Sequence, residues 1–308
     1  MNLDDKYFIK LNRYDLLEKN IVEAINKENK KCILIKDSEM DNITYEFRSD
    51  YLHLKTCVKL SYEEQYVGIY HILICLSNEE SIVTDFLSVF ERLLFKNTEK
   101  MSANEVINLF NSIDELFKTT PEKENKELQI GLYGELLVLK HLFNLGYNII
   151  NFWHHDYFLK HDIEIDNKNR IEIKTTTKES RIHTFKHNQL ARNDVNVYVI
   201  SCILEVAEKG LSLRSLIEQI IDLCTDFKMI NTLCVLKKKC GITDDSCGMC
   251  FNEKLAYSKI KIYNSKNIPQ LTEEIPDSIT HIIYDVDLSN VKSIEFDEIM
   301  DKIYNSNN

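Results

Sequence analysis

The clearest alternation of apolar and polar residues in the chain runs from Asp162 to Thr177, DIEIDNKNRIEIKTTT. Isoleucines occupy every second position on both sides of a short polar segment, Asn167 to Asn169, which supplies turn residues. Successive side chains of a strand point to opposite faces, so this pattern predicts a β-hairpin with one isoleucine face and one charged face. A turn centred on Lys168 would set three pairs opposite one another: Asp166 with Arg170, Glu164 with Glu172, and Asp162 with Lys174.

The charged face of this predicted hairpin carries a costly excess of carboxylates. Like charges that lie opposite each other destabilise a sheet, and Asp162, Glu164 and Glu172 would crowd one small area. A divalent cation would neutralise them, because Mg²⁺ binds a few carboxylates and completes its shell with waters and phosphate oxygens. Two carboxylates on adjacent strands, with Lys174 two residues beyond one of them, suit metal-assisted attack of water on a phosphodiester. The alternative is an ordinary polar hairpin face that is open to solvent.

The first part of the chain, residues 1–119, has a different pattern. Its first 40 or so residues are polar, and LLEKNIVEAINKE has an amphipathic helical pattern, whereas ITYEF, YLHLKTCVKL and YVGIYHILICL predict antiparallel strands. Helical periodicity then covers Ser81 to Asn97 and Ser102 to Lys118, where Ser102 and Glu105 form a capping box. This region is predicted to be an α+β module without a catalytic constellation. It could recognise DNA, dock a partner or act as scaffold.

The segment Thr119 to Leu128, TTPEKENKEL, is polar and contains a proline, so we place a boundary between residues 119 and 120. A helix is predicted next, from about Leu128 to Leu145, and Gly146 would end it. Glu135 borders the apolar face of this helix, where a carboxylate is expensive unless it is paired or liganded. VNVYVISCILEV predicts a central strand buried on both faces, and LSLRSLIEQIIDLC predicts an amphipathic helix after it. Residues 120–308 should therefore form a mixed central sheet flanked by helices, within an α+β chain.

Composition limits the classes of function without choosing one. The 308 residues are 44% hydrophobic and 28% charged, and the net charge of −11 argues against general coating of nucleic acid. A nuclease needs only a local basic surface. Basic residues outnumber acids in one segment: Lys160, Lys168, Arg170, Lys174, Lys178, Arg181, Lys186 and Arg192. We find no signal peptide and no apolar run of the ~20 residues that span a bilayer, so we expect a cytoplasmic protein without a membrane partner.

The nine cysteines fit a reducing compartment, because six of them are scattered among apolar neighbours. The other three, Cys240, Cys247 and Cys250, lie in KCGITDDSCGMC and could hold structural zinc together with Cys234. One C-x-x-C knuckle is visible where zinc sites usually pair two, and Cys234 lies in an apparent strand, TLCVL. We therefore favour an unliganded loop over a zinc site, with a zinc-organised interaction protein as an alternative.

Several segments occur in a fixed order around the hairpin: GLYGELLVLKHL at Gly131 to Leu142, Trp153, IEIKTT at Ile171 to Thr176, and RIHTFKHNQL at Arg181 to Leu190. Together with the spacing D-x9-E-x-K, they resemble the PD-(D/E)XK nuclease superfamily, and within it the bacterial DUF4420 family. The likeness continues through KIKIYNSKNIPQLTEEIPDSITHIIYDVDLS and so covers most of the chain. The resemblance implies a restriction-endonuclease-like core in residues 120–308 and hydrolysis of DNA that depends on Mg²⁺, with Mn²⁺ as a substitute.

The resemblance also implies a role for each of five residues. Asp162 and Glu172 would ligate the metal, and Glu135 would bind a second metal or its waters. Lys174 would position or activate water, and Gln189, on the next helix, would support the transition state.

Three further positions remain open. His183 matches a short polar residue of the family motif. His161 is interpreted as a surface or phosphate-near side chain. It stands where the superfamily has proline before the first acid, so Glu164 and Asp166 are possible substitutes for Asp162. Trp153 is interpreted as a core residue in preference to a base-stacking one.

The family resemblance places such proteins among bacterial defence genes against foreign DNA, near helicase-like ATPases and methyltransferases. It therefore suggests DNA, such subunits and a second copy of the chain as partners. The alternative is a nuclease-fold subunit that binds DNA or proteins without cutting.

Overall fold

The computed structural model of the chain describes residues 1–39, 43–95, 99–119, 125–154, 161–190, 195–243, 245–271, 278–279 and 281–304. The chain divides into two compact units, Met1–Thr120 and Pro121–Asn308. Residues 120–124 of the predicted boundary segment, and Lys160 and Arg192 of the basic segment, lie outside the described residues. Within the described ranges, no helix is both long enough and apolar enough to cross a bilayer.

The first unit is built on a mixed sheet of seven strands within the described residues. They are β1 (Asn2–Asp4), β2 (Phe8–Lys10), β3 (Ile21–Asn26), β4 (Lys31–Lys36), β5 (Glu46–Arg48), β6 (Leu52–Tyr62) and β7 (Gln65–Cys75). Their order is β1-β6-β7-β4-β3-β2, with β5 paired to β6. β1 runs parallel to β6, and the long β6–β7 hairpin is antiparallel, as the alternating segments predicted.

The helices of this unit are α1 (Arg13–Glu18), α2 (Glu80–Phe95) and α3 (Ala103–Lys118). The predicted capping box of α3 is confirmed, because Ser102 and Glu105 bond each other's backbone. The helical pattern predicted in LLEKNIVEAINKE holds only for its first three residues, since α1 ends at Glu18 and β3 begins at Ile21. Cross-strand pairing of β3 with β4 buries its β-branched residues and outweighs the local helical spacing.

As far as its residues are described, the second unit contains a four-stranded sheet in the order β14-β11-β9-β8, and two antiparallel ribbons, β10–β15 and β12–β13. The strands are β8 (Ile163–Glu164), β9 (Asn169–Thr176), β10 (Ile182–Lys186), β11 (Asn196–Ile203), β12 (Val206–Ser212), β13 (Cys250–Phe251), β14 (Lys261–Asn264) and β15 (Ile283–Asp287). The helices are α4 (Lys126–Asn144), α5 (His187–Leu190), α6 (Leu213–Leu223), α7 (Phe227–Lys239), α8 (Glu253–Lys259) and α9 (Phe296–Tyr304). As predicted, β11 is central: it runs parallel to β9 and antiparallel to β14. The predicted α+β class with a mixed sheet and flanking helices is confirmed.

Helix α4 lies directly on strand β9, and Gly134 makes this close approach feasible. A Cβ atom at Gly134 would overlap the side chain of Thr175 on β9. The helix ends as predicted, with Gly146 at a φ of +96°, a left-handed conformation that favours glycine. This packing holds Glu135, the next residue of α4, beside the sheet.

Two sequence predictions in this unit are corrected. The apolar run TLCVL, taken as a strand, belongs to helix α7, whose residues Ile230, Leu233 and Leu236 are buried at helical spacing. A short apolar run does not separate strand from buried helix, and Asp226 caps this helix by accepting from Lys228 N–H. The segment YNIINFW, taken as a strand or extended stretch, contains a 3₁₀ turn at Ile150–Phe152.

Candidate active site

Strands β8 and β9 form the predicted antiparallel hairpin, but the predicted register is wrong by two residues. Ile163 lies opposite Ile171, and Glu164 lies opposite Arg170, so Glu164 does not face Glu172. A shift of two residues leaves each side chain on its predicted face, because the period of a strand is two. Both isoleucines are therefore buried, as predicted.

The turn itself explains the register. Oδ1 of Asp166 accepts hydrogen bonds from the backbone N–H groups of Lys168 and Asn169, at 2.5 and 2.8 Å. Such an Asx-type closure fixes the turn from Asp166 onward. Glu164, in turn, pairs with Arg170 at 3.2 Å. Both acids are satisfied within the hairpin, which argues against either as a substitute for Asp162.

Three of the proposed site residues contact one another: the carboxylate of Glu172 binds the side chains of Lys174 and Gln189. Glu172 is on β9 and only 2% of the residue is exposed. Its Oε1 lies 2.7 Å from Lys174 Nζ and accepts a hydrogen bond of 2.7 Å from Gln189 Nε2. Gln189 lies on the one-turn helix α5, and its Oε1 accepts a hydrogen bond of 3.0 Å from the backbone N–H of Lys186. Lys174 also lies 5.3 Å above the ring of Phe185. The lysine is thus held between a carboxylate, an amide and an aromatic face.

Asp162 lies at the start of the hairpin and keeps part of its surface exposed. Its Oδ2 accepts a hydrogen bond of 2.6 Å from the backbone N–H of Ile173, which fixes it beside β9. Burial raises the pKa of Asp162 well above its ordinary value, and the nearby charges of Glu172 and Glu135 raise it further. The N–H of Ile173 and the ammonium of Lys174 offset this in part. An acid whose charged form is disfavoured by two other acids is typical of a cation site.

Glu135 enters the site from helix α4, where it is partly exposed at the edge of a buried face. Its Oε2 accepts a hydrogen bond of 2.9 Å from the indole N–H of Trp153. Trp153 is almost fully buried, so the prediction that it is a core residue is confirmed. The sequence reasoning missed its second contribution, which is to orient Glu135. The sequence could have indicated this contact, because the indole N–H of a buried tryptophan usually donates to an acceptor.

We observe no hydrogen bond between His183 and the carboxylates within the described residues. His183 lies on β10, and its ring contacts Ser201 of β11. Its Nε2 lies 2.7 Å from Ser201 Oγ, which also accepts from Arg181 at 2.8 Å. Burial, the largest cause, and the charges of Lys174 and Arg181 together lower the pKa of His183 to about 4. The imidazole is therefore neutral near pH 7 and supports the strand that faces Lys174.

No group of three or more His, Cys, Asp and Glu side chains in the described part of the chain is arranged to hold a metal ion as it stands. This includes the three cysteines considered for structural zinc, Cys240, Cys247 and Cys250, of which Cys240 is buried and Cys247 is exposed. Mg²⁺ does not require such a cage, since one or two carboxylates, waters and substrate phosphates suffice. The donors fit a cation of this kind, because Glu172 Oε2 is buried and has no hydrogen-bond partner among the described residues.

Comparisons with known proteins agree with this geometry. A family model described as "Putative PD-(D/E)XK family member, (DUF4420)" matches residues 9–289. No curated protein and no solved structure matches the chain. The α+β architecture, with an acid directly before one strand of a mixed sheet and an acid-x-lysine on the neighbouring strand, is that of a PD-(D/E)XK nuclease-like fold. Because the match covers most of the sequence, the chain belongs to the DUF4420 family.

Proposed function

We propose that this protein is a metal-dependent endonuclease that hydrolyses DNA phosphodiester bonds. The observation that carries the proposal is the cluster of Glu172, Lys174 and Gln189 beside Asp162. Burying a carboxylate next to other acids costs stability, and such perturbed groups concentrate at functional sites. A purely structural sheet would gain nothing from this arrangement.

Each residue has a role that its contacts support. Asp162 and Glu172 would hold Mg²⁺ or Mn²⁺, and Glu135, oriented by Trp153, would hold a second ion or its waters. When bound, such an ion polarises a phosphoryl oxygen and lowers the pKa of a water molecule. The ammonium of Lys174 orients the attacking water and stabilises charge that develops on the phosphate. Gln189 positions Lys174 and Glu172 by bonding both side chains.

One observation favours a second candidate, a nuclease-fold subunit that binds DNA or a partner without cutting. The described residues contain no ready-made group of three metal donors, and a binding subunit needs none. Retention of Glu135, Asp162, Glu172 and Lys174 together argues for the enzyme, because binding alone does not require all four.

The wider role remains a proposal from the family resemblance. In this role the protein defends the bacterial cytoplasm against foreign DNA. Its partners would be a helicase-like ATPase and a methyltransferase, and two copies of the chain would form a homodimer. Residues 1–119 would recognise DNA or dock such a partner, and residues 120–308 would carry the chemistry.

The direct test compares the protein with a Lys174→Ala variant on supercoiled plasmid and linear DNA, in Mg²⁺, in Mn²⁺ and in EDTA. We expect metal-dependent cleavage that Lys174→Ala slows by about 100-fold or more, the usual loss for one charge-stabilising group. Lys168→Ala is the matched control, because Lys168 is exposed in the hairpin turn and carries the same charge. Equal cleavage by the protein and Lys174→Ala would contradict the assignment. DNA binding by all three proteins without cleavage would favour the non-cutting subunit.

A further inference from the structure

His161 is a buried imidazole that the proposed mechanism does not use. Only 3% of the residue is exposed, and neither ring nitrogen has a hydrogen-bond partner among the described residues. Its Nδ1 lies 3.5 Å from Oε2 of Glu172, within ion-pair distance, and this carboxylate oxygen also has no hydrogen-bond partner among the described residues. An imidazole and a carboxylate oxygen therefore face each other in a buried place, and neither makes a hydrogen bond with the described residues.

This arrangement lowers the stability of the folded protein. A buried polar group without a hydrogen bond loses its solvation without compensation, and a buried carboxylate oxygen loses more. A bound ion or water is one of the explanations for a buried group of this kind that makes no hydrogen bond. The chemistry of the pair favours an ion, because an imidazole nitrogen and a carboxylate oxygen are both metal ligands.

The separation of the two atoms also suits a shared ion. Ligands that bind one cation at about 2.0–2.2 Å stand roughly 3–3.5 Å apart at tetrahedral to octahedral angles. The neighbouring residue, Asp162, is anchored on both sides, since its carbonyl accepts from His154 N–H at 2.8 Å and its carboxylate accepts from Ile173 N–H. His161 and Asp162 thus approach Glu172 from one short piece of fixed backbone.

We propose that His161 is a further metal ligand: without the ion, the described side chains form no ready group of three donors, and the bound ion would bring the imidazole of His161 together with the carboxylates of Asp162 and Glu172. The inference rests on the proposed function, and it specifies the metal. A site of oxygen donors suits Mg²⁺, whereas a nitrogen donor shifts preference toward transition metals. The site accordingly selects Mn²⁺ over Mg²⁺, with water and a substrate phosphate in the remaining positions.

The test uses Mn²⁺ itself and needs no DNA cleavage. Pulsed electron paramagnetic resonance of Mn²⁺ bound to the full-length protein detects a directly coordinated nitrogen, and ¹⁵N-histidine labelling assigns that nitrogen to imidazole. We expect a histidine nitrogen signal in the protein and its loss in His161→Leu. We also expect Mn²⁺ affinity to fall by about tenfold or more, as it does when even a supporting residue of a metal site is lost. His154→Ala is the control, because this neighbouring histidine is exposed and only its backbone contacts Asp162.

The outcomes separate this inference from the proposed function. Bound Mn²⁺ without nitrogen coupling, or coupling that persists in His161→Leu, would overturn the inference and leave a carboxylate-only metal site. Absence of any Mn²⁺ binding by the protein would overturn both. If His161→Leu fails to fold, the labelled unmutated protein still decides, because histidine coupling must appear there.

Discussion

The indole of Trp153 and the carboxylate of Glu135 are joined by a hydrogen bond of 2.9 Å, with Trp153 as the donor. Trp153 also forms a β-bridge with Ile163, the first residue of strand β8. A single buried side chain therefore connects the acid of helix α4 to the hairpin that carries Asp162. This connection makes Glu135 part of the candidate site rather than a glutamate at the edge of a helix.

Replacing Trp153 with Phe keeps a buried ring and removes the N–H donor. A hydrogen bond to a charged group contributes about 1.5–3 kcal/mol, so we expect DNA cleavage to slow by roughly 10- to 100-fold while DNA binding changes little. Tyr133→Phe is a matched control on the same helix, because the buried hydroxyl of Tyr133 has no hydrogen-bond partner among the described residues. Single-turnover cleavage in Mn²⁺ measures the effect, and equal rates for both variants would remove Trp153 from the site.

Gln189 bonds both Glu172 and Lys174, so its amide is expected to set their relative position. Gln189→Ala removes both contacts and leaves a buried carboxylate with one partner fewer. We expect cleavage to fall by roughly 10- to 100-fold, again from hydrogen bonds to charged groups. Asn188→Ala is the control, since Asn188 is exposed on the same turn of helix α5. A loss of the same size in both variants would indicate damage to α5 instead of loss of the amide.

The close contact of helix α4 with strand β9 gives a prediction about stability. Gly134→Ala would force a methyl group into Thr175, and overpacking of this kind costs typically about 1–3 kcal/mol. Gly131→Ala on the same helix meets no atom within 4 Å, so it should stabilise the protein by about 0.4–1 kcal/mol. Urea unfolding of both variants measures the difference. A Gly134→Ala variant as stable as the unmutated protein would show that the helix can move away from β9 at no cost.

The alternation of the sequence was enough to place Glu172 and Lys174 on one face of a strand, because that conclusion depends on a period of two and not on register. It was not enough to place Glu164 opposite Arg170. The register depends on how Asp166 closes the turn, and a side chain that bonds two backbone N–H groups is invisible to periodicity. The face of each residue was therefore predicted correctly while its partner was not.

Contacts between distant segments set a second limit. Helix α4 could be predicted from its spacing and its glycine stop, but the bond between Trp153 and Glu135 joins residues that no local pattern relates. The same holds for His161: the interpretation of it as a surface or phosphate-near side chain is wrong, because its ring is buried and faces Glu172. Residue types and faces follow from local sequence, whereas the partners that tune a site follow from tertiary packing.

The raised pKa of Asp162 predicts an unusual pH dependence for the metal-free protein. Burial first, then Glu172 and Glu135, make the charged form of Asp162 unfavourable in the folded state. The folded protein thus holds this proton above pH ~3.9, where the unfolded chain releases it, so the contribution to stability falls as pH rises through the folded pKa. Asp162→Asn removes the charge and still accepts from Ile173 N–H.

We therefore expect Asp162→Asn to raise the thermal midpoint in EDTA near pH 8, and the two proteins to converge near pH 4. Added Mn²⁺ should stabilise the unmutated protein more than the variant, because the cation offsets the repulsion that the substitution has already removed. Circular dichroism melts between pH 4 and 8, with and without Mn²⁺, measure both effects. Glu179→Gln, an exposed acid just beyond β9, should leave the midpoint nearly unchanged. A lower midpoint for Asp162→Asn in EDTA at pH 8 would mean that Asp162 stabilises the fold, and repulsion among the three acids would then no longer support a cation site.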